Sequence, residues 1–303
     1  MGTTSSQPVH TKSLDYFSKK YNWVLSYPMT KYTEINNENF SKILNNIDTS
    51  EKKYIDLRVN CPPILNIHDI PVHPIASVCS MLNYQLNKNG LPTFPPSRLF
   101  IYHNCNYFPN VNSIISFESV FKSIEKYGFC SEIDFLYNKD NLVVLPSQKN
   151  YQVVEAFKFL SIYRIVNDIE LIKIMLKHEM PLLIGIVLYT DLLNVIDKLW
   201  VPDLSIDKKI GGTTALIVGY SDDRECFFLK FGYGKEFGSS GYIMMPYNYL
   251  INKNLVPEIY YIDLKKNRIN GFINQRRKTI SLENRINEEQ HLQKCDDVES
   301  FFG

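Results

Sequence analysis

The apolar positions of the chain change rhythm near residue 180. Before that point they recur at helical spacing. Residues 74–88, PIASVCSMLNYQLNK, carry Ile75, Val78, Cys79, Leu82 and Leu86 along one face. Pro74 suits the first helical position, which makes His73 the N-cap, and Asn89-Gly90 ends the run. The spacing predicts further helices over about 114–127, stopped by Gly128, over roughly 151–160, and over about 168–179, ending before Pro181. A short helix is expected near 36–46, within an otherwise extended polar stretch. Beyond residue 180 the pattern reads as strands, rich in β-branched and aromatic residues: PLLIGIVLY (181–189), TTALIVGY (213–220), CFFLKF (226–231) and GYIMMPY (241–247). A helical first half and a strand-rich second half predict an α+β fold of two lobes with a cleft between them.

The expected organisation is an N-terminal extension over 1–53, a domain over 54–268 and a polar tail over 269–303. The helical part of the domain covers about 70–180 and the β-rich part about 181–263. Within the tail, RRKTIS reads first as a solvated charge run, with a phosphorylation site as the alternative.

Composition narrows the function classes. Of 303 residues, 45% are apolar, enough for a sizeable core. Lys and Arg number 33 and Asp and Glu 32, a net charge of +1. That balance leaves no electrostatic footprint for nucleic acid. No apolar run is long enough to span a bilayer. Cys61, Cys79, Cys105, Cys130, Cys226 and Cys295 are scattered without CxxC spacing, and the first thirty residues lack a secretory apolar region. Both features fit free thiols in a reducing, intracellular compartment. The opening MGTTSS matches M-G-x-x-x-S/T, which makes Gly2 a candidate for myristoylation. One such chain gives only marginal membrane binding without a second signal. Zinc spacings, a P-loop and a GxSxG elbow are absent, and no cofactor is expected.

Several blocks, in order, carry a resemblance: IDLRVNCPP (55–63), PSRLFIYHN (96–104), YGFCSEIDFLYN (127–138), PLLIGIVLY, GGTTALIVGY (211–220) and FGYGKEFGSSGYIMMPYNYL (231–250). Together they resemble the papain-like cysteine peptidases, in a compact branch found in bacteria and large DNA viruses. The resemblance covers about residues 54–263 and implies the papain-like fold. It also implies four working positions: an oxyanion-hole glutamine after Pro-Pro, a cysteine nucleophile at a helix start, a histidine base in G-G-H-A, and an orienting asparagine in N-S-W-G. A thiol with an ordinary pKa is mostly protonated at neutral pH, so it needs a neighbouring base and an electropositive helix end. The developing oxyanion needs aimed donors.

Aligned from Pro62-Pro63 without gaps, the glutamine position falls on Ile67 and the cysteine position on His73. The histidine position falls on Thr213 and the asparagine position on Phe231. No catalytic residue is therefore expected. A register with Cys79 as nucleophile needs six extra residues after Pro-Pro, and Thr213 still stands where its base would be. Thr213 as a nucleophile is expected to lack a partner base. His68, His73 and His103 read as solvated or capping histidines, because Pro71 breaks the helical spacing that would fix a metal. Asp222-Asp223 reads as a turn. The sequence thus points to an inactive papain-fold protein whose partners are proteins, through binding or as a structural component. The resemblance brings in a large-virus particle and, through Gly2, a membrane. The alternatives are a cysteine hydrolase rearranged around Cys79, and a decoy holding a peptide in the interlobe cleft.

Overall fold

The computed structural model describes residues 23–26, 31–44, 48, 50–68, 70, 72–105, 115–152, 160–189, 199, 208–265 and 269. The chain divides into two units, Met1–Leu264 and Lys265–Gly303. In the second, the described residues are Lys265 and Ile269, joined by a backbone hydrogen bond of 3.1 Å. The rest of the expected tail, Gly2 and Cys295 lie outside the described residues.

The first unit is built on one sheet. Its strands are β1 (Thr33–Ile35), β2 (Tyr54–Asp56), β3 (Leu160–Ile165), β4 (Leu182–Tyr189), β5 (Lys209–Ser221), β6 (Cys226–Lys230), β7 (Tyr242–Pro246) and β8 (Glu258–Leu264). They lie in the order β1-β3-β8-β4-β5-β6-β7, with β2 paired to β5 off that path. The β1/β3 pair is parallel and the other pairs are antiparallel. β5 is the long central strand, and its register sets Thr213 opposite Ile186 and Gly185 opposite Thr214.

The helices come mostly from the first half: α1 (His73–Lys88), α2 (Arg98–Asn104), α3 (Phe117–Tyr127), α4 (Gln148–Gln152), α5 (Ile169–Lys177) and α6 (Tyr247–Ile251). This is the α+β arrangement that the element pattern implied. α1 is buried on nearly every side, its polar Ser77, Ser80 and Gln85 included, and packs on β5, β4 and β8. Where α3 meets the sheet, Phe117 and Phe121 stack at 5.7 Å and Tyr260 meets Phe121 edge-on at 5.1 Å.

Three elements differ from expectation. The predicted helix at 151–160 is instead a short turn of helix over Gln148–Gln152, and Leu160 already begins β3; residues 153–159 lie outside the described residues. The helix expected from 114 starts at Phe117, because the Ser116 hydroxyl caps the Ser119 N–H at 3.2 Å. Its end is as expected, at Gly128 with φ of 72°. α1 starts one residue early: the Val72 carbonyl accepts the Ala76 N–H at 2.8 Å, so Val72 is the N-cap and His73 the first helical residue. Residues 33–35, from the expected N-terminal extension, supply β1.

Candidate functional site

The start of α1 sets His73 against the middle of β5. Thr213 Oγ1 lies 3.3 Å from His73 Nδ1. The same hydroxyl is hydrogen-bonded to the phenol of Tyr233. The His73 and Tyr233 rings meet edge-on at 5.1 Å. Tyr233 in turn stacks on Phe231 at 5.8 Å, and Phe237 closes against both. Ile67 arrives from the loop before α1: its N–H donates to the Gly232 carbonyl at 3.0 Å. So Ile67, His73, Thr213 and Phe231, spread over 165 positions of sequence, converge on one spot.

The spot is filled. Thr213 is 0% exposed, Phe231 2%, Ile67 3% and His73 4%. Tyr233 is half-buried, with its hydroxyl turned inward onto Thr213, and that burial pushes its pKa up. One step along β5, the hydroxyls of Ser77 and Thr214 pair at 2.8 Å. Two loops are pinned from behind. Arg98 forms a two-pronged pair with Glu132 at 2.6 and 2.9 Å and donates to the Asn66 carbonyl at 2.8 Å. Its guanidinium lies 3.4 Å from the Tyr137 ring centre, and the Tyr137 hydroxyl donates to the Ile67 carbonyl. Lys230, the residue before Phe231, is buried and donates to the Pro63 carbonyl at 3.1 Å. Burial holds its pKa down at about 8.

Thr213 was expected to lack a base, and the structure corrects this: His73 supplies an imidazole within hydrogen-bond distance. The sequence could not show it, because the two residues lie 140 positions apart. Cys79 stands elsewhere. Six residues along α1 from His73, it is offset by about 9 Å along the axis and roughly 240° around it. It is buried beside Pro62, Leu65, Asn83, Pro95 and Pro96, and burial raises its pKa well above that of an ordinary thiol. Among the described residues, no histidine hydrogen-bonds to it. Burial pushes Cys61, Cys105 and Cys130 up to about 12. His68 and His103 do not join the site: His68 donates its N–H to the Asn66 side chain and His103 bonds the Asn141 carbonyl. Asp69 lies outside the described residues. Among the described residues, no group of three His, Cys, Asp or Glu could hold a metal. Asp222 sits in its turn, paired with Lys173 at 2.8 Å.

The sequence reading missed two residues. Tyr233 stood inside a quoted block, and its aromatic ring was the available signal. Trp23 gave no local signal: its importance lies in contacts with Gly185, Gly212 and Glu258.

No curated family profile matches the chain. An uncharacterized peptidase C1-like protein of Acanthamoeba polyphaga mimivirus is 30% identical over 192 residues, 59% of this chain and 62% of the relative. The match thus spans about three-fifths of that relative's length. Among solved structures, xylellain, a cysteine protease from Xylella fastidiosa, superposes with a TM-score of 0.72 at 22% identity. That superposition covers 82% of this chain and 97% of xylellain. Digestive procathepsin L 3 of Tenebrio molitor larval midgut gives 0.60 at 17% identity, over 84% and 78%. The fold is that of the papain-like cysteine peptidases.

Proposed function

We propose that this chain is a catalytically silent papain-fold protein that acts by binding another protein. One observation carries the reading. On the register set by Pro62-Pro63, the four family positions hold Ile67, His73, Thr213 and Phe231, and these side chains pack into one buried cluster. Ile67 and Phe231 have no polar side-chain atom with which to aim at an oxyanion or orient a base. Losing the members of a catalytic triad costs on the order of 10⁶ in kcat, and the losses do not add. The mimivirus relative supports a large-DNA-virus setting; within this reading, and on the M-G-x-x-x-S/T match alone, Gly2 carries a myristoyl group and the chain sits in a particle or at a membrane. Among the described residues no helix is long and apolar enough to cross a membrane.

An epoxysuccinyl thiol probe with mass spectrometry, run beside affinity capture from the native source, tests the proposal. No covalent adduct and capture of a capsid or membrane protein are expected; capture of a free peptide favours a decoy. An adduct on Cys79 would overturn the silent reading.

The 3.3 Å contact favours a second reading, in which His73 activates Thr213 as a nucleophile. Against it, the Thr213 hydroxyl is fully buried and already shared with Tyr233. Turnover of a peptide or ester that Thr213→Val abolishes would establish it.

A further inference from the structure

Away from the substituted cluster, the end of α5 meets the chain on its way into β2. α5 ends at Lys177, with His178 as its C-cap. Across this end lie Asp48 and residues 50–53. The Asp48 N–H donates to His178 Nε2 at 2.9 Å. Lys177 Nζ donates to the Ser50 carbonyl at 2.9 Å. Further on, the Tyr220 hydroxyl donates to the Lys52 carbonyl at 2.5 Å, and the Asp222 N–H donates to the Lys53 carbonyl at 2.8 Å. Three of these four contacts end on carbonyl oxygens, which take up no proton near neutral pH. The fourth ends on an imidazole nitrogen, which does.

A backbone N–H can only donate, so Nε2 presents its lone pair and the neutral ring carries its hydrogen on Nδ1. Protonation puts a hydrogen on Nε2 and sets a donor against a donor. The charged groups acting on the ring come from three elements: Asp48 and Lys52 from the stretch before β2, Lys177 from α5, and Lys88 from α1. Asp48 favours the imidazolium, but its carboxylate is already held by the Ser50 N–H and by Lys52, both at 2.9 Å. Those bonds keep it ionised well below the usual carboxylate range. A helix C-terminus also favours a cation. Here Lys88 fills that place: its Nζ donates to the carbonyls of His178 and Glu179 at 2.7 and 2.8 Å, and lies 3.9 Å from the Glu179 carboxylate. Burial, with Lys88, Lys52 and Lys177 adding to it, holds the His178 imidazole below its ordinary pKa.

We infer that His178 is an acid-sensitive latch: neutral, it ties Asp48 to the end of α5, and protonated, it lets Asp48 go while Tyr220 and Asp222 keep residues 52 and 53 in place. The direction follows from linkage. The folded ring titrates below its unfolded value of about 6.5. Closure therefore contributes fully above that value and is lost as pH falls toward the folded pKa. Mild acid frees one stretch of the surface and leaves the Thr213 cluster untouched. The latch shares no residue with that cluster, so it stands apart from the binding reading.

Nuclear magnetic resonance of the full-length wild-type protein, titrated from pH 7.5 to 5, tests the latch. The His178 Nε2 resonance should show an unprotonated acceptor at pH 7.5 and titrate with a midpoint below about 6.5. The Asp48 amide should shift with the same midpoint. Its protection against hydrogen exchange, relative to the intrinsic rate, should fall by up to about tenfold per pH unit between about 6.5 and that midpoint. The Asp222 amide, which donates to a carbonyl, should keep its protection over the whole range. His178→Gln offers a side-chain carbonyl that does not titrate, so its Asp48 amide should hold one level of protection throughout. A hydrogen on Nε2 at pH 7.5, a midpoint above about 6.5, or flat Asp48 protection in the wild type overturns the latch. So does loss at Asp222 in step with Asp48, or the same acid loss in His178→Gln. If that variant does not fold, the wild-type contrast between Asp48 and Asp222 decides alone.

Discussion

Two regions flank the mouth of β5, and they are filled by opposite means. At Thr213 the space is closed from within, by His73, Tyr233, Phe231 and Ile67, all from the body of the fold. At Gly212, one residue earlier, the space is kept open by absent side chains and closed by Trp23 from the N-terminal segment. On the proposed register the first region is packed as core by residues of the body, whereas the second is packed by a side chain from the N-terminal segment lying over two glycines.

The largest effect separating the two regions should come from Arg98→Ala. It removes the buried guanidinium from the half-buried Glu132 and frees the loop carrying Ile67, and it should cost about 3 kcal/mol in denaturant unfolding. Trp23 fluorescence should keep its native maximum until the global transition; an early red shift would mean the regions are coupled. Lys230 comes next. Burial lowers its pKa from 10.5 to about 8, so between those values the unfolded chain holds the extra proton and stability rises with pH. Below pH 8 both states are protonated and the burial cost is constant. The rise should be on the order of 2–3 kcal/mol in wild type relative to Lys230→Met, measured by unfolding from pH 7 to 10.5. Parallel curves for the two proteins would contradict it.

Gly185→Val attacks the other region. Its side chain overlaps the indole, so it should expel Trp23 with a red-shifted emission and cost roughly 1–3 kcal/mol. A native emission maximum would place the ring elsewhere. Tyr233→Phe should be the mildest, at about 1 kcal/mol, because Thr213 keeps the His73 contact. A loss as large as that of Arg98→Ala would make the phenol a keystone of the cluster.

What the sequence disclosed follows from where each signal lives. β4 to β7 were legible because their residues are apolar or β-branched in unbroken runs, and they are nearly all buried. α1 was legible from its stripe, though its first residue was not, since the cap is a backbone carbonyl with no side-chain signature. β3 was missed because LSIYRI is half-buried and does not alternate; its strand state comes from pairing with β1 and β8. The four substituted positions could be named from neighbouring blocks. Their mutual contacts could not, because His73 and Thr213 meet only through the packing of α1 on β5. The Trp23 slot was illegible for the same reason: its walls are two glycines and a glutamate from three separate strands.

The central claim is that the family's catalytic spot is now core. Its most direct test is turnover of a fluorogenic peptide panel by wild-type, Cys79→Ala and Thr213→Val proteins at equal concentration. The account predicts no turnover above buffer for any of the three. Turnover by the wild type that either substitution abolishes would contradict it.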